Sequence, residues 1–337
     1  MNIILSIGDC NGIGLETLYK AVHKLNYDKS LKNNIQLTLA GNKKTIQEYF
    51  NILNLDFEIS KNGIIIKNIE VEIIELSSFS RVEFGKMTDE SAKLTIESLD
   101  FSVNAVIEKK YDALVTLPIN KYALQRVGWK YPGHTEFLAD KSLSNSYLMI
   151  LMRGKLRVAL VTTHIPISEL PKTINEQLIN NKALTFLNSL KQDFSIKRPK
   201  IAVLGLNPHA GENGSIGNEE IIIIKPALDK LNQDEVNFFG PFPADGFFAH
   251  NDYKSYDGIL AMYHDQGLIP LKLLAGNKGV NFTANLPIVR TSPDHGTAYQ
   301  IAGKGIANGD STFEAIKMAY QISKQRKKIR ECKFSFV

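Results

Sequence analysis

The residues best equipped for chemistry in this chain of 337 residues are three of its seven histidines. The apolar run 158–162 leads into His164, the run 201–204 leads through Gly-Leu-Asn-Pro into His209, and the run 259–262 leads through Tyr263 into His264. Runs of this length, bounded by turn residues, read as buried strands, so each imidazole sits just past the C-terminal end of a strand. In an open parallel sheet those ends share one edge, where α/β proteins bind their ligands. Three neutral imidazoles with an open fourth position are the ligand set of a catalytic Zn²⁺, which acts on a bound oxygen as a Lewis acid. The competing reading makes each one a turn histidine bonded to nearby backbone. Spacings of 45 and 55 residues match no local metal motif, so recurrence at three strand ends is what favours the metal.

Carboxylates and cations accompany them. Asp265 follows His264, and Asp245 lies in the turn Gly-Pro-Phe-Pro-Ala-Asp-Gly at 240–246. Either could orient an imidazole or serve as general base, although an Asp before Gly is also an ordinary turn residue. The segment 211–217 reads Gly-Glu-Asn-Gly-Ser-Ile-Gly ahead of a helix expected near Asn218, and its N–H groups could cradle a phosphate. Its spacing is neither the Rossmann fingerprint nor a P-loop. Lys272 and Arg290 flank loops near His264 and suit an anionic substrate, with solvation as the plainer account of each.

Positioning these residues requires a sheet. Strands are expected at 3–7, 35–40, 113–117, 158–162, 201–204 and 259–262, with helical patterns between. The clearest helix opens at Thr88 as N-cap with Asp89 and Glu90 in its first turn, places Ile96, Leu99, Val103 and Val106 on one face, and ends near Lys109-Lys110. Strands alternating with helices of this length specify an α/β fold, a mainly parallel sheet flanked by helices. Turns at 131–133 and 276–279 divide the chain into a first α/β domain of 1–130 plus 283–337 and a second of 131–282, with the active site expected in the cleft between them.

Composition narrows the class. Apolar residues make up 44% and charged residues 22%, which excludes disorder and low-complexity architectures. The net charge of +5 is concentrated in the stretch 324–333, leaving the body balanced and without the basic face of a nucleic-acid binder. Cys10 and Cys332 are too few and too distant for a disulfide scaffold. No apolar run reaches membrane-spanning length and no signal peptide is apparent, so a cytoplasmic protein is expected.

Several motifs in one order carry a resemblance. They include Gly8-Asp9 with Gly12-Ile13-Gly14, the run 114–121 ending Pro118-Ile119-Asn120-Lys121, and Pro132-Gly133-His134-Thr135-Glu136. Further on come Thr162-Thr163-His164, Asn207-Pro208-His209-Ala210-Gly211-Glu212, Tyr263-His264-Asp265-Gln266-Gly267, Gly279-Val280-Asn281, Arg290-Thr291-Ser292 and Asp294-His295-Gly296-Thr297. Through most of its length the chain resembles the PdxA family, the 4-hydroxythreonine-4-phosphate dehydrogenases of vitamin B6 biosynthesis. Cys10-Asn11, where the family usually has Pro-Ala, and the loop around Asn213 and Ser215 depart from its pattern.

The resemblance implies an isocitrate/isopropylmalate dehydrogenase-like fold and a homodimer with its active site at the subunit interface. It implies that His164, His209 and His264 hold a divalent metal, zinc foremost with magnesium or cobalt as alternatives, in a shell drawn from both chains. His134, Thr135, Lys272, Asn281 and Arg290 would bind substrate. His295, Gly296, Thr297 and Asn308 would belong to a loop for NAD or NADP, which accounts for a nicotinamide enzyme lacking G-x-G-x-x-G, and Asp245 or Asp265 would be the base. The implied reaction oxidises 4-phosphohydroxythreonine to 2-amino-3-oxo-4-phosphooxybutanoate, which decarboxylates to 3-amino-2-oxopropyl phosphate. A related dehydrogenase of another phosphorylated four-carbon hydroxy acid is the alternative. A phosphate acyltransferase shares the fold but has no need of three metal-binding histidines.

Overall fold

The computed structural model describes residues 1–233 and 235–334. They form two compact units, one of residues 1–146 with 286–324, the other of residues 147–285 with the segment that begins at Gln325. His134 and Thr135 therefore belong to the first unit, whereas the turn at 131–133 placed them in the second domain.

The first unit carries strands β1 (Asn2–Ser6), β2 (Gln36–Gly41), β3 (Glu58–Ile59), β4 (Gly63–Ile66), β5 (Ile69–Glu75) and β6 (Ala113–Thr116). The second carries β7 (Leu148–Arg153), β8 (Leu156–Leu160), β9 (Ile201–Leu204), β10 (Phe238–Phe242), β11 (Gly258–Ala261) and β12 (Val280–Ala284). The chain then returns to the first unit with β13 (Arg290–Pro293).

In the first unit the order is β13-β6-β1-β2-β5-β4-β3, parallel from β13 to β5 and antiparallel beyond. Ile3, Ile4 and Leu5 of β1 and all of β6 are buried, as an apolar strand covered on both faces must be. The helix Asp89–Ile107 covers this sheet. Thr88 accepts from the Ser91 N–H as its cap, and Leu99, Val103 and Val106 are buried, but Ile96 is only half-buried because Leu94, Thr95 and Ser98 take the inner face.

In the second unit the order is β10-β9-β11-β8-β7-β12. The first four strands are parallel, and β7 and β12 close the sheet antiparallel. Its core gathers Val158 and Leu160 of β8, Ala202 and Leu204 of β9, Ile259 and Ala261 of β11, with Leu268 and Leu271 of the helix His264–Ala275. That helix lies so close to the sheet that a Cβ on Gly267 would sit 2.8 Å from Val158 Cγ1 and 2.9 Å from Leu160 Cδ2. Only glycine allows such an approach, and the helix start that carries His264 is thereby fixed against β8 and β11.

Candidate functional site

In the second unit, β11 pairs in parallel with β8 on one side (Ile259 with Val158, Ala261 with Leu160) and with β9 on the other (Gly258 with Ile201, Leu260 with Val203). The exits of β8, β11 and β9, which lead to His164, His264 and His209, therefore lie side by side on one edge. The next strand, β10, also runs parallel and leads into the helix Ala244–Ala249 that carries Asp245. Strand neighbours are about 4.8 Å apart, so one edge can bring these side chains within reach of a common ligand.

Two of the three imidazoles meet. The His164 and His264 rings lie 5.8 Å apart between centroids at an interplanar angle of 43°. His264 Nδ1 is 2.7 Å from Asp265 Oδ1. With Nδ1–H donating to that carboxylate, the lone pair of a neutral ring falls on Nε2, the tautomer seen in carboxylate-backed metal histidines. Asp265 thus acts on His264, and Asp245 remains exposed at the start of its own helix. No group of three or more His, Cys, Asp or Glu among the described residues is gathered closely enough to hold a metal ion.

His209 comes from an unusual turn. Residues 209–213 have φ of 53°, 50°, 78°, 42° and 54°, an unbroken left-handed stretch. It borders an open hollow of about 540 Å³ lined also by Glu212, Asn213, Lys225 and Pro241. The segment 211–217 does not present a phosphate cradle. The Ser215 and Ile216 N–H groups are taken by the Glu212 and Gly211 carbonyls, and the buried Glu220 carboxylate packs against Gly211, where it would repel an anion.

A second cluster forms in the first unit. Arg290, only 2% exposed, pairs across from Leu114 on β6, so its side chain shares a face with Thr116, two residues along. Its Nε and Nη2 both donate to Thr116 Oγ1, at 3.0 and 2.7 Å. Burial pushes the Arg290 guanidinium down to about 9 despite the attraction of Glu136, which still leaves it cationic at neutral pH. His134 begins the helix His134–Lys141, pinned by Phe137 in a ring cluster with Trp129 and Tyr131. Burial first, then the charges of Arg290 and Lys121, hold its imidazole well below the ordinary histidine range, so it is neutral. His134 Nε2 is buried without a hydrogen-bond partner among the described residues.

Thr135 follows in the same first turn, partly buried. In the second unit, Asn281 on β12 has a buried Oδ1 that is likewise unpartnered, and Lys272 is exposed on the helix His264–Ala275. Lys121, Thr116 and Glu136 were not picked out from sequence as site residues. The available signal was Asn120, which caps the helix Lys121–Arg126 by accepting from the Ala123 N–H and so fixes where Lys121 starts.

The loop 295–309 is fastened to the helix Gly14–Leu25. Glu16 accepts from the Ala307 N–H at 2.8 Å, and Lys20 donates to the Gly305 and Ala307 carbonyls at 2.8 and 2.7 Å. Ile13 N–H donates to the Thr297 carbonyl, Tyr299 donates to Asp9, and Asn308 accepts from the Asp310 N–H at the start of the last helix. His295 Nδ1 lies 3.1 Å from the Gly296 carbonyl, which makes it the protonated nitrogen. Nε2 is then an acceptor, buried and unpartnered among the described residues, while a Cβ on Gly296 would meet nothing within 4 Å. A tethered loop with an unspent acceptor beside open space suits a flat hydrogen-bonding ligand.

The match to the family model for the pyridoxal phosphate biosynthetic protein PdxA spans residues 33–319. The chain belongs to the PdxA family. It is 44% identical over 333 residues to a 4-hydroxythreonine-4-phosphate dehydrogenase from Sulfurihydrogenibium sp., covering 97% of this chain and 100% of that one. It is 41% identical to a protein of the same name from Bacteroides thetaiotaomicron, covering 97% and 90%. Among solved structures, a 4-hydroxythreonine-4-phosphate dehydrogenase from Klebsiella pneumoniae superposes with a TM-score of 0.81 at 35% identity, over 95% of this chain and 97% of that one. Isocitrate dehydrogenase from Methylococcus capsulatus, at 13% identity and a TM-score of 0.50, shares the fold alone. Both the family and the fold class expected from sequence are thus found. Among the described residues, no helix is long and apolar enough to cross a membrane.

Proposed function

We propose that this PdxA-family chain is a metal- and NAD(P)-dependent dehydrogenase that oxidises 4-phosphohydroxythreonine to the β-keto acid that decarboxylates to 3-amino-2-oxopropyl phosphate. The observation that carries the metal part is the pair of neighbouring exits of β8 and β11, with the His164 and His264 rings 5.8 Å apart and Asp265 behind His264. An all-imidazole donor set fits a borderline ion such as zinc or cobalt better than magnesium. His209 completes the shell, supplied by a second copy of the chain in a homodimer, in keeping with no three ligating residues being gathered among the described residues of one chain.

Held by these histidines, a divalent ion would supply Lewis acidity toward the substrate hydroxyl, and a nicotinamide held by the cofactor loop would supply the hydride acceptor. The chain's own residues do the rest. Asp265 fixes the His264 tautomer. Asp245, exposed and adjacent on the same sheet edge, receives the hydroxyl proton directly or through water. Arg290 offers the phosphate or carboxylate a buried, oriented cation, and Lys272 offers an exposed one. His134, held neutral, exchanges a hydrogen bond with the substrate through its unspent Nε2, flanked by Thr135, while Asn281 contributes its buried Oδ1. His295, Gly296, Thr297 and Asn308 line the cofactor loop. Their support is the Glu16 and Lys20 tether and the unpartnered His295 Nε2.

The test is reduction of NAD and of NADP with 4-phosphohydroxythreonine, compared with a phosphorylated four-carbon sugar acid, on protein stripped of metal and reloaded with Zn²⁺ or Co²⁺. Metal-dependent turnover of the first substrate alone is expected. Preference for the sugar acid would move the assignment to the related dehydrogenase, and turnover without metal would overturn the role of the histidines.

A further inference from the structure

We infer that Glu220 is the positioning residue for His209, holding the left-handed turn from which that histidine projects. L-residues in a left-handed helical turn bring Cβ against the following carbonyl oxygen, so they occur singly, not in runs. Here five in succession, four of them with side chains, keep φ between 42° and 78° from His209 to Asn213. A run like this persists only when its surroundings over-determine it.

Glu220 supplies that hold. It is buried, 3% exposed, and opens the wide-turn segment Glu220–Ile224, anchored at its far end by buried Ile224. Its Oε1 accepts from the Leu206 and Asn207 N–H groups, both at 2.7 Å, and its Oε2 accepts from Asn207 Nδ2 at 2.9 Å. On the far side Gly211 lies so near that a Cβ there would be 2.6 Å from Glu220 Oε2. One carboxylate is therefore hydrogen-bonded to the exit of β9 and packed against the middle of the left-handed turn, with His209 between the bonded and the packed segments. Glu220 acts through His209, and its bonding uses the charged, two-oxygen acceptor geometry of a carboxylate.

The proposal rests on the metal reading of His209, and two readouts keep the two apart. Hydrogen exchange of amides 206–216 in the metal-free full-length protein reports the turn; titration with Co²⁺ alone reports the shell. Glu220→Ala is expected to speed exchange at 206–213 at least tenfold while the β11 amides keep their protection. It should also weaken Co²⁺ binding by roughly ten- to a hundredfold, the usual cost of losing a residue that orients a ligand. Glu220→Gln keeps one oxygen for the two backbone amides and should lose less of both. Adding Ala210→Gly to Glu220→Ala, which makes the left-handed conformation cheaper at one position, should recover several-fold of the lost affinity.

Exchange at 206–213 unchanged in Glu220→Ala, or raised there no more than in β11, or no recovery with Ala210→Gly, would overturn the inference. If Glu220→Ala does not fold, Glu220→Gln against the unaltered protein decides by the same two readouts. Absence of Co²⁺ binding by the unaltered protein, with the turn still released by Glu220→Ala, would overturn the metal reading and uphold the anchor.

Discussion

Replacing Arg290 with lysine removes geometry while keeping charge. The guanidinium is almost wholly buried and is levelled by two donations to one hydroxyl, Nε to Thr116 at 3.0 Å and Nη2 to Thr116 at 2.7 Å. A lysine ammonium cannot form that fork, so the cation loses its fixed plane and its paired delivery of N–H groups to an oxyanion. A hydrogen bond to a charged partner is worth about 1.5–3 kcal/mol. At about 1.4 kcal/mol per tenfold, KM for the phosphorylated substrate should rise about 10- to 150-fold. Because the proposed function assigns the hydride and the metal to other residues, kcat should move by no more than about threefold and metal content should hold. Initial rates over a substrate series, with metal measured on the same samples, give the result. A KM within about twofold of the unaltered protein, or a loss confined to kcat and accompanied by loss of metal, would refute the role assigned to Arg290.

Three other outcomes follow from the same structure. Asp265→Asn keeps the shape but weakens the acceptor for His264 Nδ1–H, so Co²⁺ affinity should fall roughly ten- to a hundredfold without loss of fold by circular dichroism; unchanged affinity would detach Asp265 from the site. His134 is held neutral in the folded chain while an unfolded imidazole titrates near pH 6.5, so the unfolded state takes up the extra proton as pH falls. Stability is then lost below about pH 6.5 at up to about 1.4 kcal/mol per unit for this group, and His134→Gln should lose that share of the slope in urea unfolding at pH 5 and 7. Burial pushes the Cys10 thiol up to about 11, whereas Cys332 is exposed. A thiol reagent at neutral pH should therefore modify Cys332 first and Cys10 only on unfolding; rapid double labelling would contradict the burial of Cys10.

Some parts of this molecule were legible from sequence because they are local. The runs leading to His164, His209 and His264 form strands within two residues of expectation, since a short apolar stretch closed by turn residues has few other ways to bury itself. Thr88 caps its helix as its position predicts. β3, β4 and β5 were not anticipated: Glu58, Glu70 and Glu72 interrupt the apolar pattern because these strands lie at a partly exposed border. Nor was β13, whose buried Arg290 looks polar in sequence and is tolerated through Thr116 on the neighbouring strand. Parallel neighbours such as β6 and β13 are separated by well over a hundred residues, so no window of sequence can pair them. Glu220 escaped for the same reason. Its role depends on amides thirteen and fourteen residues earlier and on a left-handed turn that no residue pattern announces.

Anomalous diffraction from crystals grown with Co²⁺ and recorded across the cobalt edge addresses the metal centre with least interpretation. One ordered peak about 2.1 Å from ring nitrogens of His164 and His264, with a His209 imidazole completing the set, is the result expected. A peak bound elsewhere, or imidazoles at those three positions with no cobalt between them in fully loaded protein, would contradict it.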